Sequence, residues 1–264
     1  MTHLDLTGRR ALVTGGAQGL GEGMAAALAR AGARVVIADI QDELGAKVAE
    51  SLGEGHGFAH LDVTDDASWE SAVADAIDQL GGLDLVVNNA GVEITNLLVD
   101  LDANNARKML EINVLGTALG LKHAFRAMRP EGAAGQGGAI INVASVAATI
   151  AFPGISIYSA TKSAVDRLTR VGAMESAKLG YGVRVNCVYP GLVPTEMGAG
   201  LASSVAEAGL FGSAEEAVGA VIEMTPSGRL GTVEDIAEAV VFLASDQASF
   251  INGVGLPVDG GLGM

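Results

Sequence analysis

Thr14-Gly15-Gly16-Ala17-Gln18-Gly19-Leu20-Gly21 decides the fold of this 264-residue chain through what stands on either side of it. Before it runs the short β-branched stretch Arg10 to Thr14, and after it the Ala-rich amphipathic stretch Leu20 to Ala31. Glycines between a strand and a helix let the backbone turn sharply and approach an anion, while the helix N-terminus presents unpaired N–H groups. A glycine cluster alone is weak evidence. Strand, cluster and helix in that order point to the pyrophosphate of a nucleotide.

The same alternation continues outward. Arg34 to Asp39 reads as a strand and Asp42 to Leu52 as a helix, with further strands near Gly57 to Leu61, Leu83 to Val87, Ala139 to Val143, Val183 to Val188 and Leu256 to Val258. Seven strands separated by helices imply βαβ units, hence an α/β fold with a parallel sheet and helices on both faces, in three layers. No Pro/Ser-rich linker or charge block divides the chain, so residues 1–264 are expected to form a single domain.

Asp39 ends the second strand, twenty residues after Gly19, where a carboxylate accepts hydrogen bonds from an adenosine ribose and repels a 2′-phosphate. No Arg or Lys lies between Thr14 and Gly23. NAD is therefore expected in preference to NADP, with Asp39 and Ile40 at the adenosine end. The competing reading of Asp39 is a helix-entry cap before Gln41 to Glu50. Asp62-Val63 and Asn88-Asn89-Ala90-Gly91 end the third and fourth strands, at the sheet edge where open α/β sheets bind ligands.

Tyr158 and Lys162 stand four apart in Tyr158-Ser159-Ala160-Thr161-Lys162, with Ser145 thirteen residues upstream of the tyrosine. On a helix that spacing stacks phenol and ammonium on one face. A free tyrosine, with a pKa near ~10, is a poor acid or base at neutral pH until a nearby cation favours its ionised form. The pair reads as a proton-transfer device.

Composition narrows the partners. A formal net charge of -15 opposes nucleic acid and anionic membrane surfaces. The sole cysteine, Cys187, lies in an apolar strand and reads as core. Met1-Thr2-His3-Leu4-Asp5-Leu6 lacks a basic region followed by an apolar one, and no stretch approaches a membrane span, so a cytoplasmic location is expected. His3, His56, His60 and His123 lack metal-ligand spacing, and no metal is expected.

Taken together, Thr14-Gly15 through Gly21, Asp62-Val63, Asn88 to Gly91, Asn113, Ser145, Tyr158/Lys162, Pro190-Gly191 with Thr195, and Val258-Asp259-Gly260-Gly261 make the chain resemble the short-chain dehydrogenase/reductase family over nearly its full length. The resemblance implies a Rossmann-type, doubly wound seven-stranded sheet, a nicotinamide cofactor and, commonly, a homotetramer. It assigns Ser145 to polarise the substrate oxygen, Tyr158 to transfer its proton, and Lys162 to lower the tyrosine pKa and bind the nicotinamide ribose. Asn113, within Glu111-Ile112-Asn113-Val114, would hold a water in a relay with the lysine. The cofactor would lie along Gly15, Gln18, Gly19, Leu20, Gly21, Asp39, Ile40, Asp62, Val63, Asn89, Ala90, Gly91, Tyr158, Lys162, Pro190, Gly191, Val193 and Thr195.

Two helices read as unusually long, Ala103 to Met128 and Ile155 to Leu179. On the first, Ala106, Leu110, Val114, Ala118 and Leu121 mark one apolar stripe, while Leu115, Leu119 and Phe125 leave a second, so both helices are expected at a two-fold interface of a homotetramer or homodimer. The Gly/Ala/Ser-rich stretch of about residues 192–228 reads as a helical substrate lid. Val146, Ala147, Ile150, Phe152, Leu192, Met197, Leu201, Leu210 and Phe211 would form an apolar wall, with Glu93 and Asn96 as its few polar candidates. A small hydrophobic ketone or secondary alcohol, aryl, alicyclic or steroid-like, is the expected substrate. A 3-oxoacyl carrier-protein reductase is the nearest enzymatic alternative, weakened by the acidic surface and Asp39; an enoyl reductase is expected to have a wider tyrosine-to-lysine spacing. A catalytically silent NAD(H)-binding regulator is the alternative from another class.

Overall fold

The structure, a computed structural model, describes residues 4–264. Met1, Thr2 and His3, which open the segment read above for a leader, lie outside the described residues. Seven strands form one parallel sheet: β1 (Arg10–Thr14), β2 (Arg34–Asp39), β3 (Gly57–His60), β4 (Leu85–Asn88), β5 (Gly138–Val143), β6 (Val183–Pro190) and β7 (Gly255–Val258), in the order β3-β2-β1-β4-β5-β6-β7. It is the single-domain, Rossmann-like α/β fold the alternation implied.

Side chains alternate between the two sheet faces, so each buried strand feeds two cores. Val13, Ile37 and Val87 point to one face, where α1 (Gly19–Arg30), α2 (Asp42–Leu52) and α9 (Val233–Ala244) cover them. Leu12, Val36 and Val86 point to the other, under α3 (Asp66–Leu80), α5 (Gly116–Met128) and α6 (Ser156–Leu179). The chain runs outward from β1 to β3 and then crosses to β4, so the order reverses between β1 and β4. A crevice opens there along the carboxyl ends of the strands.

The expected helix Ala103 to Met128 is present but not uniform. It begins as α4 (Ala103–Met109), widens into a π-helical segment, Leu110–Leu115, and resumes as α5. Its buried face also differs from the expected stripe: Leu110 is 48% exposed, whereas Met109, Asn113, Thr117, Gly120, Leu121 and Ala124 face inward. Small and polar residues serve there because Asn88 and Trp69 press close; a Cβ on Gly120 would stand 2.2 Å from the Asn88 Oδ1. Between Leu192 and Gly228 lie α7 (Glu196–Glu207) and α8 (Ala214–Met224), each capped by a hydroxyl at its N-terminus, Thr195 and Ser213. Among the described residues no helix is long and apolar enough to cross a membrane.

A buried amide ladder ties α6 to the sheet. Asn88 Nδ2 donates to Asn142 Oδ1 at 2.8 Å, and Asn142 Nδ2 donates to Thr169 Oγ1 at 2.8 Å. Asn142 and Thr169 are fully buried. Such groups cost stability when left unpaired. Replacing Asn142 by Ala is expected to lower the unfolding free energy by about 2–3 kcal/mol in urea titrations; a loss below ~0.5 kcal/mol would show that the ladder does not fasten the helix.

Candidate active site

One cleft of about 460 Å³ runs along the carboxyl edge of the sheet. The strands deliver residues to it in turn: Gly15 after β1, Asp39 at the end of β2, Asp62 after β3, Asn89 after β4, Ser145 after β5 and Pro190 at the end of β6, with Leu262 following β7. Every residue expected at a cofactor lines this cleft, as do Ser145, Tyr158 and Lys162. Asn113 does not. It sits behind the wall, 1% exposed.

At one end the glycine loop makes a cradle. Gly15, at φ +61°, passes so close to the next loop that an added Cβ would stand 2.8 Å from the Ala90 Cα. Gly19, at φ +60°, has only the Thr195 side chain within 4 Å of where a Cβ would be, so its open side faces the cleft. The α1 N-terminus has no side-chain cap and leaves its first N–H groups available to an anion. Asn89 spends its amide on the loop itself, donating to the carbonyls of Thr14 (2.9 Å) and Gly15 (3.0 Å), while Thr14 Oγ1 accepts from the N–H groups of Asn89 and Ala90. Asn89 therefore shapes the cradle through its side chain.

Asp39 does two things at once. Its Oδ2 accepts the Ala17 N–H at 3.1 Å and its Oδ1 the Gln41 N–H at 3.0 Å, so it joins the glycine loop to the entry of α2 while lining the cleft. The helix-entry reading and the cleft reading both describe it. Asp62, by contrast, is exposed and turns its carboxylate to Thr64. Lys162 is the one basic residue lining the cleft among the described residues. The cradle, uncapped helix end and long groove fit a dinucleotide.

At the other end, β5 delivers Ser145 beside the hydroxyl of Tyr158, and helical spacing sets Lys162 under the same ring, its Nζ 5.6 Å from the ring centre. Burial is the largest influence on both. It pushes the Tyr158 phenol up to about 12, against a hydrogen bond with Ser145 that pulls it down, and the charge of Glu93 raises it further. The Lys162 ammonium is pushed down to about 8. Lys162 donates to the Val143 carbonyl at 2.8 Å, and in the protein alone desolvation prevails over its charge; the expected acidification of the tyrosine by Lys162 is one for the cofactor-bound protein.

Asn113 occupies the π-helical segment, whose wider turn carries its side chain under the loop after β4. Its Oδ1 accepts the Val92 N–H at 2.9 Å and its Nδ2 donates to the Val92 carbonyl at 2.9 Å and to Thr161 Oγ1 at 3.0 Å. The side chain is thus a strap between that loop and α6. A Cβ on Gly91 would lie 3.3 Å from Asn113 Oδ1 and 3.5 Å from Lys162 Nζ, so the strap brings backbone, amide and ammonium together.

The apolar wall includes Val146, Ala147, Ile150, Phe152, Leu192, Met197 and Leu201. Leu210 and Phe211 stand one layer back; they pack with Ala202, Val205 and Ala217, and Phe211 stacks on Phe152 at 6.3 Å. Glu93 lines the cleft. Asn96 does not, since its N–H donates to the Gly154 carbonyl and it bridges to Ile155. Sequence reading passed over Val92, Ile112, Ile155, Val221, Met224 and Leu262. Val92, Ile112 and Leu262 adjoin motif residues, whereas Val221 and Met224 carry only an ordinary helical spacing.

Comparison with known proteins agrees with this geometry. Residues 15–263 match the family model described as enoyl-(acyl carrier protein) reductase. Over 260 residues the chain is 38% identical to trans-4-hydroxycyclohexanecarboxylate dehydrogenase of Sinomonas cyclohexanicum, covering 95% of this chain and 91% of that protein. It is 39% identical to (+)-borneol dehydrogenase 2 of Salvia officinalis, covering 98% and 90%. Among solved structures, 3-ketoacyl-(acyl-carrier-protein) reductase of Brucella melitensis, complexed with NADH, superposes with a TM-score of 0.86 at 33% identity, covering 98% of this chain and 100% of that one. With a sheet, cradle and cleft of this kind and relatives matched end to end, the chain belongs to the short-chain dehydrogenase/reductase family of oxidoreductases.

Proposed function

We propose that this protein is an NAD(H)-dependent dehydrogenase interconverting a hydrophobic secondary alcohol, aryl, alicyclic or steroid-like, and its ketone. The observation that carries this reading is the convergence of Ser145, Tyr158 and Lys162 at the apolar end of a cleft whose other end is a glycine cradle. The relatives named for borneol and for trans-4-hydroxycyclohexanecarboxylate support an alicyclic carbinol. The four-residue step from Tyr158 to Lys162 favours carbonyl over enoyl reduction.

Asp39 supports NAD over NADP: a carboxylate at the adenosine end, with Lys162 as the cleft's one basic residue among those described, leaves nothing to bind a 2′-phosphate. Gly15, Gly19, Gly21 and the α1 N-terminus would hold the pyrophosphate, and Lys162 and Thr195 the nicotinamide end. The bound cofactor supplies the hydride acceptor or donor. Ser145 donates a hydrogen bond to the substrate oxygen, and Tyr158 gives or takes its proton. Residues 192–228 serve as the lid over the substrate. Leu115 (44%), Val171 (46%) and Met174 (72%), exposed on the two long helices of the single chain, support the two-fold interface of a homotetramer or homodimer.

Three measurements test this reading. Tyr158→Phe is expected to retain NADH binding in a fluorescence titration and to lose turnover by at least ~10³-fold; near-normal turnover would overturn the assignment. Assayed with a panel of hydrophobic ketones, wild type is expected to prefer NADH to NADPH, and Asp39→Ala to narrow that preference; NADPH preference in wild type would contradict the role of Asp39, and a silent regulator would turn over none. The pH response has a definite sign. With its pKa raised to about 12, Tyr158 keeps its proton at neutral pH and is ready to donate it, whereas oxidation needs the deprotonated form, whose population grows as pH rises. Initial rates of alcohol oxidation are expected to climb between pH 7 and pH 9 while ketone reduction stays level or falls; oxidation independent of pH would contradict it.

A further inference from the structure

We propose that Glu93 selects among substrates: its carboxylate accepts a hydrogen bond from a donor, a hydroxyl or an ammonium, carried on the substrate away from the reacting carbinol, and turns away substrates with a carboxylate at that place. The inference rests on the dehydrogenase reading above and deepens it.

Glu93 lines the same cleft as Ser145 and Tyr158 and is half-buried. Around it the substrate end is apolar, with Ile150, Phe152, Val221 and Met224 among its walls. The other carboxylate at that end, Glu196, is exposed at the start of α7. A carboxylate accepts about four hydrogen bonds. Among the described residues Glu93 receives one, from Thr95 Oγ1 to Oε1 at 3.0 Å. The second oxygen has no protein donor among the described residues, and the group stands on the cleft wall.

The backbone that carries Glu93 is also held in place. Immediately before it, Val92 is fastened by two hydrogen bonds to Asn113. Three residues after it, Asn96 donates to the Gly154 carbonyl at 2.8 Å and bridges to Ile155, just ahead of the helix that carries Tyr158. A carboxylate on a pinned segment, with one oxygen open to the cleft, differs from a mobile surface charge.

Its presence is costly without a ligand. Burial raises the Glu93 pKa, which marks the penalty of keeping the charge in this wall. The same charge opposes ionisation of Tyr158, so it does not assist proton removal. A donor on the substrate relieves both costs by satisfying the open oxygen and spreading its charge. A carboxylate on the substrate adds like-charge repulsion in a poorly solvated space, and such repulsion is an effective means of discrimination.

The test uses four cyclohexanols substituted at carbon 4 with methyl, hydroxyl, amino or carboxylate, assayed with NAD⁺ on wild type, Glu93→Gln and Glu93→Ala. In wild type, kcat/KM for the hydroxyl or amino compound is expected to exceed that for the carboxylate by about 100-fold. Both variants are expected to narrow this ratio to less than about 10-fold, with the carboxylate compound gaining. Wild type that handles the carboxylate as well as the diol overturns the inference without reference to any variant, as does an unchanged ratio in Glu93→Gln. Turnover with a flat profile removes the role of Glu93 and leaves the dehydrogenase reading standing; absence of turnover on all four contradicts both.

Discussion

Desolvation at the end of the cleft is the constraint on which the rest of the site depends. Tyr158 and Lys162 sit where the charged form of each is penalised, so the phenol rises to about 12 and the ammonium falls to about 8. Groups in that condition are sensitive to any further charge placed beside them. The ammonium donates to the Val143 carbonyl, Ser145 pulls the phenol down, and Glu93 pulls against its ionisation. The protein prepares a proton donor and leaves the balance to be tipped by what binds.

Holding two such groups in register requires a stiff mounting, and the fold supplies it from buried polar contacts. The Asn88–Asn142–Thr169 ladder fastens α6 to the middle of the sheet. The π-helical turn at Asn113 fastens the same helix to the loop after β4 through Val92 and Thr161. At the far end, Asn89 and Asp39 use their side chains on backbone groups of the glycine loop. Asp39, Asn89 and Asn113, which the sequence pattern suggests as site residues, also shape the backbone around the cleft.

The fold was legible because its signals are local and repeated: β-branched runs and Ala-rich runs alternate, and their period-2 and period-3.6 patterns agree with the glycine cluster between β1 and α1. Asp39, Asp62, Asn89, Ser145 and Pro190 were legible as cleft positions because they stand at strand ends, and Tyr158 with Lys162 because helical spacing puts them on one face. What escaped the sequence is what depends on distance between remote segments. The π turn gives no compositional sign within Leu110 to Leu115, and with it the buried face of the helix moved off the stripe containing Leu110. The withdrawal of Leu210 and Phe211 behind Phe152 follows from how α7 and α8 pack. Helical spacing reveals the ammonium beside Tyr158 but not the burial of the phenol, which raises its pKa in the protein alone. Glu93 was visible as a polar residue beside a motif, while its oxygen left open to the cleft required the structure.

The most direct measurement of the central claim is a pH titration of the near-ultraviolet phenolate band, taken as the difference between wild type and Tyr158→Phe, without cofactor and then with saturating NAD⁺. The account predicts that Tyr158 ionises near 12 in the protein alone and at distinctly lower pH once positive charge is bound beside it. Ionisation at or below the ordinary tyrosine value of about 10 in the protein alone, with no response to NAD⁺, would contradict it.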